Sequence, residues 1–138
     1  MNGSVSCFSN LHDGELVSVT HHKRENKVSI RVDLPDGEGM NIILCGVKAF
    51  RVVDFISQNI ISWAFHSDAE NFDGPFIERL VRWVNSLSDG ACMISQGAIS
   101  NYVEKIRSGA MKVLAIEPSW GAELVCIYTE EESEAQSK

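Results

Sequence analysis

Between Val28 and Leu34 every second residue is apolar: Val28, Ile30, Val32 and Leu34 alternate with Ser29, Arg31 and Asp33. A helix would scatter these four groups around its circumference, whereas a strand places them all on one face. The run predicts a half-buried strand, the pattern of an antiparallel sheet with one wetted side. Ahead of it, Val17 and Val19 alternate more weakly with Ser18 and Thr20 from Glu15 onward. Arg24-Glu25-Asn26 reads as a short hairpin loop, because Asn tolerates positive φ. Pro35-Asp36-Gly37 reads as the next turn, with φ fixed at Pro35 and free at Gly37. A third strand, Met40 to Cys45, ends at Gly46 and completes a meander.

Val47 to Val53 resumes as a fourth strand or a bulged continuation, and Ile60 to Phe65, β-branched and aromatic, as a fifth. Pro75 then suits the first position of a helix capped by Gly74, with Phe76, Leu80, Trp83, Val84 and Leu87 on one stripe and Asp89-Gly90 as the stop. A second helix is expected from Asn101, where Asn101-x-x-Glu104 resembles a capping box. It carries Tyr102, Val103 and Ile106 inward and ends at Gly109, with Lys105 and Arg107 at its negative end. Met111 to Ile116 and Glu123 to Tyr128 form a hairpin around the turn-rich hexapeptide Glu117 to Ala122. The expected fold class is α+β, an antiparallel β-sheet meander with two helices packed on one face.

The single domain is expected over residues 11–128, with flexible termini at 1–10 and 129–138. The last ten residues hold four glutamates against one lysine and nothing apolar beyond Ala135. Removing them after Tyr128 is therefore expected to leave thermal stability almost unchanged. A net charge of −7 argues against a surface made for phosphate backbones, so nucleic acid is not an expected partner. No apolar run approaches the ~18 residues of a spanning helix, so no membrane association is expected. Cys7, Cys45, Cys92 and Cys126 show no metal-ligand spacing, and neither metal nor cofactor is expected. The first residues lack a basic and an apolar leader region, which predicts a cytoplasmic protein with free thiols.

No nucleophile elbow, phosphate loop or zinc-protease motif is present. His12, Asp13 and Glu15 could supply a base or a metal ligand, but neighbours on an extended segment point to opposite faces, so a shared site needs a turn. His21-His22-Lys23-Arg24 fits a charged, solvated hairpin tip, and His66 a surface position at a strand end. Asp54 and Asn59 flank Phe55-Ile56, either bonding their own loop or facing a cleft. Glu117, Ser119 and Glu123 surround Trp120, where two carboxylates and a hydroxyl could bind a cation or move protons. An aromatic in a turn suits an interface or the edge of a core.

Taken together, Leu11-His12-Asp13-Gly14-Glu15-Leu16, Asp54 to Ile61 and Glu117 to Glu123 resemble a group of small bacterial proteins of predicted immunity function, the immunity protein 50 family. These share a His-Asp-x-Glu opening, a β-meander and a phenylalanine followed by a Gln-Asn-apolar stretch, over most of residues 11–128. The resemblance implies a fold and a role in neutralising a toxin by binding it, with no catalytic residue. Candidate binding residues are Trp120, Glu117, Ser119, Glu123, His12, Asp13, Asp54 and Asn59. The alternative is a small hydrolase or ligand-binding domain with His12, Asp13, Asp54 or Glu117 in a cleft.

Overall fold

In the computed structural model, which describes residues 11–67, 71–87 and 90–136, the alternating run Val28 to Asp33 lies inside β2 (Lys27–Asp33). It pairs with β1 (Glu15–His22) on one side and β3 (Gly39–Cys45) on the other. Asn26 takes a φ of 57° in the first hairpin loop. The Asp36 carboxylate accepts from the Glu38 N–H in the second, at 2.9 Å. Then follow β4 (Ala49–Val53), β5 (Ile60–His66), α1 (Gly74–Val84), α2 (Gln96–Ser108), β6 (Lys112–Trp120), β7 (Glu123–Tyr128) and β8 (Glu130–Gln136). The fold is α+β: an eight-stranded sheet, ordered β4-β7-β6-β5-β1-β2-β3-β8 with every pairing antiparallel, and two helices on one face. Among the described residues no helix is long and apolar enough to cross a membrane.

The sheet is nearly divided in the middle, where β1 and β5 share one register pair, Glu15 with Ile60. Residues from the two four-stranded halves form one core. Val28, Ile30, Val32, Ile42 and Leu44 of the first half pack with Ile61, Leu114, Ile116, Leu124 and Cys126 of the second. The other face of the second half, Phe65, Val113, Ala115, Val125 and Ile127, forms another core with Ile77, Val81 and Val84 of α1 and Ile99 and Ile106 of α2. The molecule is thus three layers, strand half on strand half on helices. Both faces of β6 and β7 are buried, which explains their continuous apolar runs. Each fully buried Val, Leu or Ile contributes about 1.5–3 kcal/mol relative to exposure.

Several boundaries differ from expectation, each for a local reason. Asp73 caps α1, its carboxylate accepting from the Phe76 N–H at 3.1 Å, and this moves Gly74 and Pro75 into the first turn. The buried stripe keeps the expected Val84 but otherwise runs through Ile77 and Val81, each one residue on from the expected Phe76 and Leu80. Phe76, Leu80 and Trp83 flank it, while Leu87 lies past the helix end at Asn85 and is exposed. α2 begins earlier than Asn101 because Ser95 caps it, accepting from the Ala98 N–H at 3.1 Å. Its end at Gly109, left-handed with φ 86°, is as expected.

The hexapeptide Glu117 to Ala122 is mostly strand, since β6 runs on to Trp120 and leaves only Gly121 and Ala122 as the turn. Pro118, which cannot donate to a ladder, sits where the β5 register is irregular. The larger correction is at the C-terminus: the tail expected to be flexible from residue 129 forms β8, paired along β3 from Cys45 with Glu130 to Gly39 with Gln136. The sheet therefore extends past the expected domain end at 128, and β8 covers what would be an open edge of β3. Residues 1–10 and 137–138, also expected to be flexible, lie outside the described residues, as do Cys7 and Asp89.

Candidate functional site

On its helix-facing side the second half of the sheet presents side chains in rows set by register. One row runs Phe65, Ala115, Val125, Arg51 and lies in the region of α1. In the next, Trp63 pairs with Glu117 and Glu123 with Val53. Glu117 and Glu123 follow directly after the last β6–β7 pair, Ile116 with Leu124, and so come opposite each other at the hairpin end. This row borders a cleft of about 260 Å³, walled by Trp63, Phe76, Leu80 and Trp83, with Arg79 at its rim. Glu123 also lines an adjoining, more open hollow of about 640 Å³ with Arg51, Asp54 and Ser86.

The two arginines beside the cleft are turned towards rings. Arg51 donates from Nη1 to the Trp83 carbonyl at 2.8 Å, satisfying a carbonyl at the end of α1, and its guanidinium lies 4.2 Å from the Trp83 ring centre. Arg79 lies over Phe76 at 5.5 Å. Among the described residues neither Glu117 nor Glu123 makes a hydrogen bond or an ion pair. Burial raises the pKa of Glu123, and the Glu117 charge adds to the effect; Arg51 opposes it, and Asp54 adds a smaller push.

Of the eight residues singled out in the sequence, Glu117, Glu123 and Asp54 meet in this region. Asp54 holds a left-handed φ of 59° directly after β4. Trp120 stands exposed at the end of β6, 61% accessible, and the Ser119 hydroxyl donates to the Ile60 carbonyl at 3.4 Å. His12 and Asp13 line neither cavity. A left-handed turn at Asp13, φ 65°, does bring them within 3.5 Å of each other, both largely exposed. The His12 Nδ1 meets the Ser62 carbonyl.

Asn59 is only 3% exposed and its amide is engaged by backbone. Oδ1 accepts from the Ile56 and Ala122 N–H groups, both at 3.0 Å. Nδ2 donates to the Ile56 carbonyl at 2.8 Å and the Leu16 carbonyl at 3.3 Å. It joins the Phe55-Ile56 loop to the Gly121-Ala122 turn. Phe55, Ile56 and Trp120, all exposed, are thereby held at one end of the molecule.

Sequence reasoning missed Trp63, Phe76, Leu80, Trp83, Arg51 and Arg79 as site residues. The only available signal was their aromatic or cationic type; nothing local links them to Glu117. A second polar cluster also went unseen. His66, expected at the surface, has a side chain only 17% exposed, with Glu131 of β8 beside it. Its Nε2 lies 3.7 Å from Glu131 Oε1, with Lys112 Nζ 3.4 Å from the same carboxylate. Contact with His66, aided by the Lys112 charge and the Tyr128 hydroxyl, holds the Glu131 pKa down at about 2 against the opposing effect of burial.

Among the described residues the polar side chains lining the cleft are two carboxylates, a guanidinium and two indoles, a set that can hold a cation or, through the paired carboxylates, move protons. Cys126 is fully enclosed, and burial pushes its thiol up to about 12, far from a reactive thiolate at neutral pH. Among the described residues no group of three or more His, Cys, Asp or Glu side chains is arranged to hold a metal. Comparison with protein-family models, curated proteins and solved structures finds no match to this chain.

Proposed function

We propose that this chain is a cytoplasmic binding protein of the immunity type, which neutralises a basic protein partner by covering it with its acidic, aromatic end. The observation that carries this reading is the uncovered row Trp63, Glu117, Glu123, whose carboxylates form no ion pair among the described residues. Exposed Trp120, Phe55 and Ile56 supply apolar contact area at the same end, as the core of an interface requires. The overall charge of −7 would hasten encounter with a cationic surface. The resemblance of His12 to Glu15, Asp54 to Ile61 and Glu117 to Glu123 to immunity proteins supports the same role.

The test is affinity capture from native lysate, followed by titration of the captured partner. The association rate should fall as salt rises. Trp120→Ala should weaken binding by more than ~1 kcal/mol, because an aromatic anchor buries large area at small entropic cost. The hydrolase alternative takes its support from the paired carboxylates in a cleft. It would replace the binding reading if no partner is captured and a small substrate is turned over in a manner that depends on His12 or Glu117.

A further inference from the structure

The geometry of the cleft narrows what a protein partner can present to it. Like charges directly opposite on adjacent strands repel, and Glu117 and Glu123 stand in that relation at the end of the β6–β7 hairpin. Arg51 offsets part of the charge on Glu123, but its guanidinium is bonded to the end of α1 and Arg79 lies over Phe76, so among the described residues neither carboxylate forms an ion pair. The ring left available is Trp63, 44% exposed and paired in register with Glu117. Its centre is 6.0 Å from that of Phe76, which closes the cleft on the helix side. A space of about 260 Å³ falls below the roughly 300–1,000 Å³ of small-molecule sites, and suits one side chain.

These demands select among cations. A guanidinium is planar, weakly hydrated and able to lie on an indole face while directing N–H groups from its edge at two carboxylates. An ammonium is a compact, strongly hydrated charge with no face to stack. An anion would meet two carboxylates. We propose that the cleft receives one arginine side chain of the protein partner, stacked on Trp63 and forked between Glu117 and Glu123. This rests on the binding reading and adds the chemistry of the residue that the partner must supply.

The experiment uses the intact protein and N-acetyl-arginine amide, whose blocked ends mimic a residue within a chain, observed through the Trp63 indole N–H resonance. Saturable binding at roughly millimolar concentration is expected from so small a probe. Glu117→Gln and Glu123→Gln should each weaken it about tenfold, and both remove repulsion, so the fold should survive either. The N-acetyl-citrulline amide, equal in shape and uncharged, should not bind, and N-acetyl-lysine amide should bind at least about tenfold more weakly. Equal binding of the lysine or citrulline probe overturns the guanidinium assignment. Tighter binding of free arginine than of the blocked form overturns the protein-borne source. Failure of every probe to saturate overturns the cleft proposal while leaving capture of a partner, and its salt dependence, as a separate result. Arginine binding without any captured partner would instead remove the reading on which the proposal rests.

Discussion

The Asn59 amide holds four backbone groups at once, so its removal takes a partner from the buried Ala122 N–H and Leu16 C=O and from the part-buried N–H and C=O of Ile56. Asn59→Ala should cost about 2–4 kcal/mol, read as a lower urea midpoint with an unchanged slope. The same contact explains Gly121. At a φ of 90° a Cβ would sit 2.5 Å from Asn59 Oδ1, so the turn accepts no side chain here. Glu131 carries the clearest pH dependence. Its folded pKa, about 2, lies below the ordinary 4.5, so its stabilisation is complete above the latter and lost as pH falls towards the former. Glu131→Gln should cost about 1–2 kcal/mol at neutral pH, reduced from the full linkage value by solvent screening. Urea unfolding in steps down to pH 2 should show variant and wild type converging.

At the scale of elements, β8 decides a direct comparison. The sequence predicts that removing residues 129–138 leaves thermal stability almost unchanged, because they have nothing apolar to bury. The pairing with β3 and the Glu131 contacts instead predict a loss of about 2–5 kcal/mol. Thermal unfolding of a chain ending at Tyr128 separates the two expectations. Period-two strands were legible because one buried face writes itself into alternate residues, as in Val28, Ile30 and Val32. β8 was illegible because its attachment is backbone pairing to a free edge, which leaves no apolar period. The start of α2 was hidden for a related reason: its first turn, Gln96 and Gly97 behind Ser95, has little hydrophobic signature. Glu117, Glu123 and Asp54 were visible as candidate residues. Their union with Trp63 and Trp83 was not, since it depends on strand register and helix docking across long stretches of chain.

For the whole molecule, the division at β1 and β5 organises the rest. One half is a local meander extended by the last strand of the chain, and the other is assembled from segments distant in sequence and backed by helices. β7 and β8, adjacent in the chain, serve opposite ends of the sheet order: β7 pairs with β4, and β8 with β3. This has a consequence for biosynthesis. Strands β1 to β3 can zip together as soon as they leave the ribosome, but the outer edge of β3 stays bare and β4 has no neighbour until β7 and β8 have been made. Until then the chain exposes just the strand edges through which nascent polypeptides stick to one another, and β7 and β8 close both.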